Sequence, residues 1–213
     1  MSGSTDVKIV VADPSAIGLL GLAIVTLVAS SVKFGIISEV GLVIPWVLFL
    51  GATAQMMACI IDFKHNNVFG ATAFGAYGLF WYGVGMTWMI QLGVFGEKMA
   101  MASDVKALGV AFFGYFIFSL YMTIAAVETN KVLLSILVLI DILLLCLTFS
   151  VFGIMTHLVH IVGAWTELTI ALLSFYGSAA NVLNRHFGYE FLKVGKPLGI
   201  FKKSLEAKTA KAV

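Results

Sequence analysis

Six long apolar runs, separated by short polar breaks, organise this sequence. They fall at about 15–37, 40–61, 70–92, 107–127, 132–153 and 158–182, each near the roughly 20 residues that a helix needs to span hydrocarbon. The fourth, from Ala107 to Val127, is nearly uninterrupted. Polar residues gather between the runs: Lys33 to Glu39, Asp62 to Asn67, Gly96 to Lys106, Glu128 to Lys131, and a small turn from Gly153 to His157. Runs this long and unbroken argue against an amphipathic soluble bundle. The pattern predicts an all-α membrane protein of six transmembrane helices. Residues 1–14 read as an N-terminal segment, 15–184 as the transmembrane domain and 185–213 as a solvated basic tail.

The third run differs from a lipid anchor. From Asn67 to Gly83, the positions Gly70, Ala71, Gly75, Gly78 and Gly83 leave one side of the predicted helix almost bare. Small residues allow close helix approach where lipid offers no hydrophobic drive. Phe69, Phe74, Tyr77, Phe80 and Trp81 supply bulk elsewhere. Tyr77 lies about ten residues in, near the bilayer middle at about 1.5 Å per residue. This stretch is the expected wall of a transport path.

Composition sharpens the class. Of 213 residues, 61% are hydrophobic and 11% charged, where a soluble domain carries about 25% charged residues. Cys59 and Cys146 sit inside apolar runs and read as buried small hydrophobes. The N-terminus has no apolar core or cleavage site of a signal peptide. With an even number of spans, both termini share a side. Ten of the thirteen Lys and Arg residues then fall on that side and only Lys33, Lys98 and Lys106 on the other. The positive-inside rule therefore puts both termini in the cytoplasm of a multi-pass plasma-membrane protein, with the tail near anionic headgroups.

Candidate chemistry is sparse. Asp13 and Pro14 open the first helix, and Asn66-Asn67 can cap the third. Two helix starts would thus meet at one mouth, where their positive dipole ends favour a small anion. Asp141 sits mid-run in the fifth helix and Glu167 about ten residues into the sixth. Intramembrane acids usually face protein or water and are functional by default. The two are expected at similar depth, one of them taking part in proton-linked movement; the alternative is a helix-to-helix hydrogen bond. His157 and His160, three apart, read as interfacial residues rather than metal ligands. No phosphate loop, nucleophile elbow or zinc-hydrolase pattern occurs. Neither enzyme activity, a cofactor, a metal nor a nucleic-acid partner is expected.

Three blocks carry a family resemblance. Asp13-Pro-Ser-Ala-Ile-Gly-Leu19 resembles the Asn-Pro-Ala-Pro-Leu-Gly-Leu signature of the acetate uptake transporter family, the succinate–acetate permeases. Phe69-Gly-x-Thr-Ala-Phe-x-x-Tyr-Gly-x-Phe-Trp81 is similar to its second block, and Val182-Leu-Asn184 with Phe187-Gly188 to its closing segment. The resemblance implies a homohexamer with a pathway in each protomer, carrying acetate and related short carboxylates, often with a proton. It also implies a constriction of Phe, Tyr and Leu, which maps to Leu22, Tyr77 and Ile140 here. Leu22 for Phe implies a wider or differently shaped neck. Asp13, Pro14, Gly18, Leu19, Asn67, Phe69, Gly70 and Thr72 then form the cytoplasmic mouth. Asp13 replaces an Asn, so its carboxylate competes with an incoming anion, and Ala16 replaces the second proline. Tyr77 is read either as a donor to a passing carboxylate or as an interhelical hydrogen bond. A small neutral-solute or ammonium channel, a membrane-embedded enzyme and a non-transporting sensor or scaffold are the competing functions.

Overall fold

A computed structural model describes residues 11–201; the expectations for residues 1–10 and for the tail beyond 201 lie outside the described residues. Among the described residues every regular element is helical. These are α1 (Ser15–Lys33), α2 (Ile44–Trp46), a π-helical segment (Val47–Ala54), α3 (Gln55–Lys64), α4 (Val68–Gln91), the short α5 (Glu97–Met101), α6 (Lys106–Ala126), α7 (Lys131–Val151) and α8 (Thr156–Phe187). The π segment joins α2 to α3 in one span, Ile44–Lys64. Among the described residues, five spans are long and apolar enough to cross a membrane: α1, Ile44–Lys64, α6, α7 and α8. The sixth, α4, is less hydropathic because glycines, tyrosines and tryptophans replace leucines. Its 24 residues extend about 36 Å and include no charged side chain.

Local sequence accounts for the starts and ends of these helices. Asn67 and Asn130 cap α4 and α7, their side-chain oxygens accepting from Gly70 N and Leu133 N. Pro14 carries the cap position of α1, its carbonyl accepting from Gly18 N, while Asp13 Oδ1 accepts from Ser15 N one step upstream. Asp13 thus holds the approach to α1 rather than its cap position. Gly188, at φ 76°, ends α8 in the left-handed conformation that glycine adopts without strain.

Small residues set the packing. Cβ atoms built on Gly75, Gly78 and Gly85 would meet Cys59 Sγ at 2.9 Å, Ala52 O at 3.1 Å and Leu48 Cδ2 at 2.8 Å. The bare seam of α4 therefore faces the second span. It runs through Gly85 and not through Gly83, which has open space around it. Helix α1 makes a matching approach: a Cβ on Gly21 would run into the Leu50 carbonyl oxygen. Inside the span, Gln55 Nε2 donates to Gly51 O at 2.7 Å, supplying a partner within the widened π turn. The remaining packing joins α1 to α8, α8 to α7 and α7 to α6. Helix α6 turns Phe113, Ile117, Tyr121 and Ile124 outward.

Two boundaries differ from the sequence reading. Helix α8 continues to Phe187, beyond the expected 182. The start of the expected solvated tail is pinned to the bundle: Asn184 bonds both backbone groups of Leu192, Val194 O accepts from Val132 N, and Leu198 N donates to Val127 O. Backbone groups left open at the end of α6 and the start of α7 are thereby satisfied.

Candidate transport pathway

Two cavities lie inside the bundle, one towards each membrane face. The first, about 330 Å³, runs among α1, α4, α6, α7 and α8 and is mainly apolar, with Lys33, Gln91 and Glu167 as its most polar lining. The second, about 230 Å³, opens where the described chain begins and ends, lined by Asp13, Gln55, Asp62, Asn67, Asn130 and Asn181 among others. Leu22, Tyr77 and Ile140 line both cavities, and no other described residue does. They come from α1, α4 and α7, and they belong to one buried cluster with Leu19, Met122, Ile136 and Ile170.

Tyr77 is fixed by α6. Its hydroxyl donates to Ser119 Oγ at 2.9 Å, with both residues buried, and its ring meets Phe118 edge-on, centroids 5.4 Å apart. The hydroxyl is thus turned to α6, away from the route between the cavities. Thr123 Oγ1 donates to Asp141 Oδ2 at 2.8 Å, and the Ser119 hydroxyl lies beside the same carboxyl group. Tyr77, Ser119, Asp141 and Thr123 therefore form one polar chain between α4, α6 and α7.

The two intramembrane acids have separate partners. Asp141 lines neither cavity. Glu167, buried on α8, pairs with Lys33 at the end of α1, Nζ to Oε2 2.6 Å. Their expected meeting is replaced by these two bonds, one to α6 and one to α1. His160 places a ring nitrogen 2.9 Å from Lys33 O, and the described residues hold no group of three metal-ligating His, Cys, Asp or Glu side chains.

At the second cavity three helix starts converge, those of α1, α4 and α7. Their caps and Val194 O occupy several first-turn N–H groups, so what remains for an anion is the dipole field and the amides of Asn67, Asn130 and Asn181. Of the expected mouth residues, Asp13, Leu19, Asn67, Phe69 and Gly70 line this cavity. Pro14 and Gly18 are buried beside it, Gly18 against the Phe74 ring. Thr72 is exposed and lines neither cavity, because the helical turn carries it to the opposite face from Asn67 and Gly70. Asp13 Oδ2 lies 3.5 Å from Arg185, which offsets its charge.

Sequence reasoning missed several lining residues. Asp62 was assigned to a polar break, yet α3 runs on to Lys64 and carries it inside. Its Oδ1 accepts from Asn67 Nδ2 at 3.0 Å, while buried Oδ2 has no hydrogen-bond partner among the described residues. Gln55 stood out as an amide in an apolar run and was overlooked. Asn130, a capping residue before a long apolar run, carried the same signal as Asn67.

Comparison with known proteins decides the family. The GPR1/FUN34/yaaH family pattern matches residues 3–196. The chain belongs to this family. Among its relatives is the succinate-acetate/proton symporter SatP of Escherichia coli K12, 27% identical over 186 residues, covering 87% of this chain and 96% of the relative. Acetate permease A of Emericella nidulans is 27% identical over 143 residues, 64% of this chain and 48% of that protein. Ammonia transport outward protein 2 of Saccharomyces cerevisiae is 24% identical over 181 residues, 84% of this chain and 64% of that protein. A solved structure of the bacterial acetate channel SatP superimposes with a TM-score of 0.79 at 26% identity, over 87% of this chain and all of that one. The all-helical, multi-pass architecture is thus the family's.

Proposed function

We propose that this chain is a channel-like permease for acetate and related short-chain carboxylates. The observation that carries the reading is the shared lining of Leu22, Tyr77 and Ile140: one thin, largely apolar septum separates two cavities within a single protomer. An acetate ion does not cross bare hydrocarbon, because stripping its water is too costly. Two chambers with polar relief shorten the dry passage to one neck, and apolar necks gate by dewetting. The relatives named for acetate transport support the substrate class.

The finer parts of the reading follow from charge and packing. The face bearing Lys64, Lys131, Arg185, Lys193 and Lys196 is cytoplasmic, so the second cavity is the inner mouth. Asp13, Leu19, Asn67, Phe69 and Gly70 receive the carboxylate there. Glu167 is the acid for proton linkage, and Asp141 positions Tyr77. The outward apolar face of α6 is the surface for a homo-oligomer, a hexamer by family resemblance, in the plasma membrane. Reconstitution tests the function directly: proteoliposomes should take up labelled acetate faster than empty vesicles, with propionate and succinate competing. Equal rates would overturn the proposal. Competition by ammonium instead would favour a second reading, ammonia conduction, which the yeast relative's name suggests.

A further inference from the structure

The outer cavity holds a charged pair that an apolar neck alone does not require. Among the described residues, Lys33 and Glu167 are the only charged side chains lining it. Their side chains are 22% and 2% exposed, so the ammonium is the more accessible partner. Around them α1 contributes Thr26, α4 contributes Tyr77 and Gln91, α6 contributes Leu108 and Phe112, and α7 contributes Ile140, Leu143, Leu144 and Leu147. Among the described residues, Tyr77 is the one further titratable group lining the chamber. Helix α7, packed along α8, directs its own acid Asp141 to Thr123 instead. On α8 itself, His160 bonds the Lys33 carbonyl and fixes the end of α1. Lys33 also lies in the last turn of α1, where a cation suits the negative end of the dipole.

We propose that Lys33 and Glu167 form a carboxylate-for-proton exchange site. A short carboxylate takes the place of Glu167 on the Lys33 ammonium while Glu167 takes up a proton. This rests on the reading of the chain as a carboxylate permease and names the site of its proton linkage. The reason is charge balance. With the pair closed the chamber is neutral. A carboxylate entering alone would leave one uncompensated negative charge among apolar side chains, which is strongly disfavoured. A carboxylate entering with a proton leaves the chamber neutral again. The proton comes from water at the open end and bonds to a Glu167 carboxylate oxygen as the ion pair separates. On release of the substrate it returns to water and the pair reforms.

The test uses the purified full chain in detergent, in weak buffer at neutral pH. Acetate is added and proton uptake is read with an indicator dye alongside acetate binding. The wild type should take up about one proton per acetate bound. Glu167→Gln should bind acetate with no proton uptake and an affinity that does not change across the neutral pH range. Lys33→Met combined with Glu167→Gln, a neutral pair that leaves no lone charge, should raise the half-saturating acetate concentration about tenfold or more. Wild-type proton uptake in Glu167→Gln, or wild-type affinity in the double variant, overturns the site. Liposome flux separates this from the transport reading. A chain that binds acetate with proton uptake and moves none keeps the site and loses the permease; a permease whose Glu167→Gln variant keeps the wild-type pH profile loses the site.

Discussion

Replacing Tyr77 by Phe separates the two roles its hydroxyl can play. In the structure that hydroxyl donates to Ser119 Oγ at 2.9 Å in a buried contact, and the ring beneath it forms part of the septum. Removing the oxygen deletes one neutral hydrogen bond, a net loss of about 0.5–1.5 kcal/mol. Ser119 stays beside the Asp141 carboxyl group. For a chain of this size, a loss near 1 kcal/mol lowers the melting temperature by about 2–4 °C. The ring keeps its place against Phe118, and the neck keeps its shape. Acetate flux should therefore stay within about fivefold of wild type, the factor that about 1 kcal/mol represents.

A hydroxyl that served the substrate would behave differently. A hydrogen bond to a charged group contributes about 1.5–3 kcal/mol, so its loss would slow passage by about tenfold to more than a hundredfold. The assays are labelled-acetate uptake into proteoliposomes at matched protein content and a melt followed by tryptophan fluorescence. A flux loss above about tenfold with an unchanged melting temperature would refute the geometry argued here. Tyr77→Ala is the companion variant: without the ring the two cavities merge, and larger monocarboxylates should enter faster.

Further variants test other parts of the structure. Gly21→Ala drives a Cβ into the Leu50 carbonyl oxygen, backbone that has no rotamer to move aside, and should cost about 1–3 kcal/mol in a detergent melt; Gly83→Ala, in open space, should cost far less. Asp141→Asn should leave the pH profile of acetate uptake unchanged, because Asp141 lines neither cavity, and a shifted profile would put that acid in the proton path. Asn67→Ala and Asn130→Ala each remove a cap worth about 1 kcal/mol together with an amide of the inner mouth. Both should lower the melting temperature and raise half-saturating acetate, and an unchanged half-saturation would remove those amides from the mouth.

The spans were legible because hydrocarbon imposes a length and an apolarity on any helix that crosses it. All six runs announced themselves that way, α4 also by the small residues it needs for close approach. Which glycines form the seam was harder to read. Gly83 and Gly85 differ by two positions, about 200° around a helix, and only the placement of Leu48 and Val47 tells which one is covered. Asp62 was misplaced because a charged residue near the end of an apolar run reads as its boundary. Here α3 continues for two residues beyond it, and Asn67 folds back to bond it.

Glu167 and Lys33 illustrate the remaining gap. Each was visible as a charge at a costly place, one inside a span and one at the end of another. Nothing local links residues 134 positions apart, and with two acids in adjacent helices, Asp141 was the nearer partner in sequence. The packing of α8 on α1 decides otherwise. Once paired, the two charges place opposite chemistry on the two sides of the neck: helix starts and amides at one mouth, a fixed ion pair in the other chamber. The first sets helix dipoles and amides beside the Asp62 carboxylate, with no cation among its described lining residues. The second can exchange its internal anion for a substrate only if a proton settles the balance. The asymmetry of the two chambers is therefore electrostatic before it is steric.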